Sequence, residues 1–271
     1  MKTFIRRQGN KTRHLKHIIP LIPEFSGTYY EPFLGTGAVY LNILPDKAVL
    51  NDINSDIINI WKLVKNKPSY IINEITSFKK KILILDNSEK LSLFKRIISK
   101  MDTYIGDKRT INYLLMMCCS FSGNIILNNR WYIGGLNFDL YKNNKCHIFT
   151  QSYTKKLLYL NDVLKKSTIE NKDYKSIFKE TEKGDFVFID PPYIEQRTYA
   201  FDYNKYEIFR PEELKKEVQK LDKKQVKWMM TQIDTVQIRT LFKGYNFNEY
   251  SSKTTFNGKS NVKKELIITN Y

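Results

Sequence analysis

The residues best suited to chemistry are Asp190-Pro191-Pro192-Tyr193, an acid, two prolines and an aromatic ring at the end of the apolar run Phe186-Val187-Phe188-Ile189. The run reads as a buried strand. Prolines can neither continue a central strand nor donate to its ladder. They fix a stiff, extended exit that presents the Asp190 carboxylate and its neighbouring carbonyls. A rigid acceptor cluster beside a flat ring suits the holding of a planar amino group while it reacts. A proline-rich surface turn has the same composition, so the choice rests on what else the chain supplies.

A second constellation lies near the N-terminus. Phe33-Leu34-Gly35-Thr36-Gly37 is a glycine-rich strand exit, and glycines there let the backbone turn sharply and approach a ligand. Tyr40 stands where a dinucleotide fingerprint needs its third glycine. That favours an adenosine ligand without a pyrophosphate over NAD. Asp52, at the end of the next strand, is placed to accept from ribose hydroxyls, or to form an Asx turn or helix cap before Ile53-Asn54. Gly9-Asn10-Lys11 reads either as an exposed basic loop or as a lysine folded back over a ligand.

The elements that must position these residues follow from periodicity. Residues 15–22 form a short helix, 29–33 the first strand, 38–44 a helix, 47–50 the second strand, and 56–64 a helix with Ile57, Ile60, Trp61 and Val64 on one face. Strand, glycine turn, helix, strand, acid is the opening of a βαβ nucleotide-binding sheet. Residues 66–145 break the rhythm: a lysine-rich helical stretch, an apolar helix over 112–121, then a polar hairpin over 122–145. Sheet architecture resumes with strands at 167–169, 186–189 and 227–231, helices at 211 onward and 236–242, and a closing hairpin of 247–250 with 265–271. The expected fold is α/β, a Rossmann-like, mostly parallel sheet with an antiparallel C-terminal edge hairpin. The expected domains are 1–65 with 146–271, and an inserted helical and hairpin domain at 66–145.

Composition narrows the partners. Forty-five Lys and Arg against 28 Asp and Glu give a formal charge of +17, which suits a polyanion. The charge comes with 18 Tyr and 16 Phe that can stack on bases, so nucleic acid fits better than a membrane. AT-rich codon usage would also raise the lysine content. No apolar run is long enough to span a bilayer, and no apolar segment follows the basic start. An intracellular, non-secreted protein is expected. Cys118, Cys119 and Cys146 make no disulfide framework. His14, His17 and His147 show no metal spacing, His14 and His17 read as basic surface residues, and no metal is expected.

In combination, these motifs resemble the Dam-type DNA adenine-N6 methyltransferases. Gly9-Asn10-Lys11 is similar to that family's Gly-Gly-Lys element, Glu31 to Ala38 to its Pro-Phe-x-Gly-x-Gly motif, Asn51-Asp52-Ile53-Asn54 to its Asp-Ile-Asn, and Asp190 to Tyr193 to its catalytic motif. Residues 199–206, Thr231-Gln232-Ile233-Asp234-Thr235 and residues 265–271 resemble later family segments. The order of glycine motif, insert and catalytic motif is also the family's. There are departures. Arg7 stands near the family's usual aromatic, Asn10 replaces a glycine, the hairpin ends in Gly135-Leu136-Asn137-Phe138 rather than a Phe-Asn-Val-Pro-like string, and Thr231-Gln232 replaces Ser-Asn.

The resemblance implies S-adenosylmethionine as methyl donor, with S-adenosylhomocysteine as product, and double-stranded DNA as substrate. It implies Asp190, Pro191, Pro192 and Tyr193 as catalytic residues. It implies Arg7, Lys11, Phe33, Gly35, Gly37, Asp52, Asp173 and Asp190 as cofactor contacts, Asp173 being equally readable as a surface acid. Asn124, Asn129, Arg130 and Asn137 are candidate DNA contacts, because asparagine and arginine suit adenine and guanine edges; hairpin turn chemistry is the alternative. GATC is the site suggested by resemblance alone. A separately acting restriction endonuclease and a monomer or weak dimer complete the expectation. An RNA or protein amino-group methyltransferase, and a non-catalytic nucleic-acid-binding module, are the competing readings.

Overall fold

The computed structural model describes every residue except 8, 124, 128, 129, 132–134, 194–209 and 257–258; for 122, 126, 127, 130, 138, 253–256 and 259–261 it describes the backbone alone. Its strands are β1 (Tyr29–Glu31), β2 (Ala48–Asn51), β3 (Ile126–Leu127), β4 (Arg130–Trp131), β5 (Ser167–Glu170), β6 (Phe186–Ile189), β7 (Lys227–Ile233), β8 (Asn246–Phe256) and β9 (Lys259–Thr269). Its α-helices are α1 (Leu15–Ile18), α2 (Tyr40–Ile43), α3 (Ser55–Asn66), α4 (Pro68–Leu83), α5 (Asn87–Ser99), α6 (Gly106–Cys119), α7 (Phe138–Asn143), α8 (Gln151–Leu164), α9 (Tyr174–Glu180), α10 (Pro211–Lys223) and α11 (Val236–Leu241).

Seven strands form one sheet in the order β5-β2-β1-β6-β7-β9-β8. The first five are parallel. β9 runs antiparallel to both β7 and β8, so the last strand slots inside the edge and β8 becomes the edge. The fold is therefore the mixed α/β sheet expected, with a closing hairpin longer than its apolar residues indicated. All four residues of β6 are buried, as a central parallel strand covered by helices on both faces requires.

The period of two along each strand divides the core. Tyr29, Leu50, Phe186, Phe188, Met229 and Ile267 belong to one apolar cluster, packed under α3, α6 and α8. Val187, Ile189, Trp228, Met230, Leu266 and Ile268 belong to the other, under α9, α10 and α11. Continuing the alternation, Glu31, Asp190, Thr231 and Glu265 fall on the first face at one end of the sheet. Residues 66–145 pack into that same cluster through Ile71, Phe94, Ile111 and Met116.

The hairpin of β3 and β4 is short, and residues 138–143 are helical rather than a continuation of it. Asn137, buried, starts that helix by accepting from the Asp139 N–H (3.0 Å). The hairpin base is tied to α6: Asn137 N–H donates to the Cys119 carbonyl (2.8 Å), and Trp131 donates to Asp102 (2.8 Å) under the Arg109 guanidinium. Arg109 in turn makes a bidentate pair with Asp56 on α3, at 2.7 and 2.9 Å. α6 and the base of the hairpin are thus fixed to the helix that follows Asp52.

Candidate active site

The glycine turn is built around Trp61 of α3. Gly37 has φ +62°, and a Cβ there would lie 2.5 Å from the buried indole ring. The indole N–H donates to the Gly35 carbonyl (3.1 Å). Gly35 has φ +47° with no atom of the described residues within 4 Å of where a Cβ would stand, so a side chain there would enter open space. Its N–H donates to Asp52 Oδ2 (2.8 Å), while Asp52 Oδ1 accepts from Asn54 N–H (2.9 Å). Asp52 therefore makes the Asx turn and also clamps the glycine loop; Asn54, not Asp52, caps α3.

Buried asparagine work, invisible in the motif string, staples the strand exits together. Asn51 donates to the carbonyls of Pro32 and Lys172 (both 3.0 Å) and accepts from Lys172 N–H (2.8 Å). Asp173 caps α9 through Lys175 N–H (2.8 Å). Phe33 lies against Tyr174 with ring centroids 5.2 Å apart.

A cleft of about 1770 Å³ runs over these exits, lined by Arg7, Lys11, Phe33, Gly35, Asp52, Asp173 and Asp190 through Tyr193, with Glu31, Tyr250 and Glu265. Single small-molecule sites span roughly 300–1,000 Å³, so this one has room for two ligands side by side. Gly37 stands behind the wall, against Trp61, and its part is to shape the turn. Lys2, Arg6, Lys16, Lys156 and Lys263 add positive charge at the rim.

Lys11 is folded back and buried. Its ammonium sits 2.7 Å from Asp190 Oδ1 and 4.5 Å from the centre of the Tyr193 ring. Thr231 on β7 donates to the same carboxylate oxygen (2.7 Å). Both contacts fall on Oδ1, so Oδ2 retains its acceptor capacity. Tyr193 donates its hydroxyl to Glu265 Oε2 (2.9 Å). Burial, with the negative charges of Asp190 and Glu265, raises the Tyr193 phenol far above its ordinary range; it stays a neutral donor.

Two further acids differ in state. Burial pushes Glu31 up to about 8 against the opposing bonds from Tyr29 O–H (2.7 Å) and Tyr40 N–H (3.0 Å), so it is protonated at neutral pH. Burial acts on Glu265 in the same direction, but bonds from Ser252 (2.5 Å) and Tyr250 (2.8 Å), with the Lys11 ammonium and, at the acid pH where Glu265 titrates, a protonated His14, outweigh it and hold Glu265 below its ordinary value. His14 is itself lowered, chiefly by burial, so its 3.8 Å approach to Glu265 is not an ion pair at neutral pH. The two histidines do not stand on the open surface expected of them. Both are partly buried against Tyr250, His17 stacked at 4.8 Å between centroids.

The structure thus brings the glycine turn, Lys11, Asp52 and the Asp190 exit to one cleft. Of the candidate DNA contacts, Asn124 and Asn129 lie outside the described residues, as do residues 199–206; Arg130 is placed in β4, opposite Leu127. Asn137 is turned into the fold and spent on its helix cap. The sequence gives no site role to Thr231, Glu265, Tyr250, Glu31 or Asn51; for the first four, the period-two alternation that puts them on the Asp190 face is the available signal, whereas Asn51 follows Leu50 and turns to the opposite face. Among the described residues no group of three or more His, Cys, Asp or Glu side chains could hold a metal ion, and no helix is long and apolar enough to cross a membrane.

Comparison with known proteins agrees with this chemistry. The profile of the D12 class N6 adenine-specific DNA methyltransferases matches residues 8–257. The type II methyltransferase M1.LlaDCHI of Lactococcus lactis subsp. cremoris is 30% identical across 100% of this chain and 96% of its own length. The type II methyltransferase M.MjaIII of Methanocaldococcus jannaschii is 28% identical across 100% and 99%. A DNA adenine methylase of Haemophilus influenzae is 26% identical across 98% and 92%. The chain belongs to the D12 class of N6 adenine-specific DNA methyltransferases.

Proposed function

We propose that this adenine-specific DNA methyltransferase receives a flipped adenine at the Asp190 exit, beside a cofactor held over the glycine turn. The observation that carries the reading is Asp190 itself: a carboxylate fixed through Oδ1 by Thr231 and Lys11, with no partner on Oδ2 among the described residues, next to the Tyr193 ring. Membership of the family implies S-adenosylmethionine. The residues suit it. The open side of Gly35 is space that a Cβ would fill, Asp52 offers acceptors for ribose hydroxyls, the Phe33 and Tyr174 rings offer an apolar wall, and Lys11 with Asp190 offers partners for a zwitterionic tail. When bound, the cofactor supplies an electrophilic methyl group.

The residues of this chain would do the rest by positioning. Adenine's amino nitrogen is a poor nucleophile, because its lone pair is delocalised into the ring. Asp190 Oδ2 and the Pro191 carbonyl would each accept one of its N–H bonds, pyramidalising the nitrogen and taking its lone pair out of conjugation with the ring, and one of those N–H protons would leave by way of the Asp190 carboxylate to solvent as the N–CH3 bond forms. Tyr193 would stack on the base. Removing the target from the duplex costs a few kcal/mol, which stacking and the basic rim offset. Preorganised acceptors of this kind act mainly on the transition state. We place target recognition in residues 66–145, with the hairpin around Arg130 as its reading element. The type II names of two relatives support a role beside a cognate restriction endonuclease. GATC is the first site to test.

Asp190→Ala is the decisive variant. Methyl transfer should fall by roughly two orders of magnitude or more, while folding and duplex binding persist. Retention of full activity would refute the acceptor role. Single-molecule sequencing of DNA from an expression host reads out the methylated base and its context, and a modified context other than GATC would reject that site.

A further inference from the structure

Glu265 is a carboxylate with 6% of its surface exposed, on which three hydroxyl donors converge. Tyr193 and Tyr250 donate to Oε2 at 2.9 and 2.8 Å, and Ser252 donates to Oε1 at 2.5 Å. His14 faces the same group at 3.8 Å. A buried carboxylate carries a desolvation cost that an apolar residue at the same sheet position would avoid. The arrangement therefore calls for a reason beyond packing.

Strand register supplies it. Tyr250 pairs directly with Glu265 across β8 and β9, and Ser252 follows Tyr250 by two residues on the same side. On the other flank, Ile233 pairs with Glu265 and Thr231 with Ile267. Thr231 and Glu265 thus stand diagonally on adjacent strands, facing the same way. One holds Asp190 and the other holds Tyr193. The antiparallel insertion of β9 places a second anchor beside the first.

We propose that Glu265 is a positioning residue for methyl transfer, fixing the plane of the Tyr193 ring through its hydroxyl so that the ring meets the flipped adenine at one angle. This rests on the stacking role given to Tyr193 above. The Tyr193 ring has two further neighbours that define its place. Pro192 restricts the backbone before it, and the Lys11 ammonium, itself held by Asp190, lies over its face. With Glu265 gripping the hydroxyl end, the ring is located at its root, its face and its tip. Tyr250 and Ser252 in turn keep the Glu265 carboxylate from swinging towards Lys11. Loss of such positioning acts on the chemical step, because a small misplacement of a reacting group costs up to about 10²-fold.

The test is a double-mutant cycle in single-turnover rate, with tritiated S-adenosylmethionine and duplex DNA from a methylation-deficient host. Variants are Glu265→Ala, the isosteric Glu265→Gln, Tyr193→Phe and Tyr193→Phe combined with Glu265→Ala. Expected are a tenfold or greater fall in rate for Glu265→Ala with dissociation constants for S-adenosylmethionine and DNA within about threefold of the parent, a smaller fall for Glu265→Gln, and a double variant no slower than Glu265→Ala alone. Multiplying effects in the double variant would overturn the proposal, as would a parental rate in Glu265→Ala or in Tyr193→Phe. Tyr193→Ala separates the two readings. A parental rate there refutes the stacking role itself, whereas loss of rate in Tyr193→Ala with none in Tyr193→Phe and Glu265→Ala refutes only the anchor. If Glu265→Ala fails to fold, Glu265→Gln and Tyr193→Phe still decide the question.

Discussion

Gly35 and Gly37 both adopt left-handed backbone in one turn, yet alanine should have different effects at the two positions. At Gly37 the added methyl meets the Trp61 ring at 2.5 and 2.6 Å and Leu34 at 3.3 Å. The indole is fully buried and its N–H is held by the Gly35 carbonyl, so it has little room to retreat. Left-handed backbone costs an L-residue about 1 kcal/mol, and overpacking a filled core adds about 1–3 kcal/mol. Gly37→Ala should therefore lose about 2–4 kcal/mol, or roughly 4–7 °C of melting temperature for a chain of 271 residues. Gly35→Ala carries only the backbone cost, since among the described residues nothing lies within 4 Å of its new methyl; it should melt within about 2 °C of the parent. Its methyl instead stands in the cleft, so affinity for S-adenosylhomocysteine should fall at least about tenfold by the loss of close backbone approach. Thermal unfolding by circular dichroism and titration calorimetry measure both quantities. A Gly37→Ala protein that melts with the parent would refute the rigid Trp61 stop. Equal destabilisation of the two variants would refute the division between a packed and an open glycine.

Other perturbations have equally specific outcomes. Glu31 has a folded pKa of about 8 against 4.5 for a free side chain; with the folded value raised, its contribution is full below pH 4.5 and is lost as pH rises through 8. Glu31→Gln lacks that slope, so its stability relative to the parent should improve by a few kcal/mol between pH 5 and pH 8; parallel pH profiles in urea melts would reject a buried neutral acid. Asp185, buried, accepts from Thr28 N–H (2.7 Å) and Glu182 N–H (2.8 Å) and so aligns the start of β6 with β1. Asp185→Ala strands both amides and should cost about 2–4 kcal/mol; an unchanged denaturation midpoint would contradict this.

The chain's local chemistry announces its fold where residue type alone dictates geometry. Prolines end β6 and β1, glycines with positive φ turn the chain after β1, and the apolar run of β6 is central because all four residues are hydrophobic. Alternation and helical period locate β2, β5, β7, α3 and α10 to within a few residues. The polar hairpin expected to residue 145 ends before α7, because Asn137 suits a turn as well as it suits the cap of that helix. The surface reading of His14 and His17 failed for a related reason: nothing near them in the chain signals Tyr250, some 235 residues away.

Sequence by itself determined the reactive inventory: Asp190 on a proline-stiffened exit, Asp52 after the second strand, two glycines, a lysine near the N-terminus and a +17 charge. These are properties of residue type and short spacing, which the chain carries before it folds. Only the tertiary structure decided how they act together. It folds Lys11 onto Asp190, puts Gly35 in the cleft and Gly37 behind it, protonates Glu31 and keeps Glu265 ionised. Each of those outcomes depends on register between distant strands and on burial. The insertion of β9 between β7 and β8 sets Glu265 beside Thr231, and that pairing exists only once the sheet has closed.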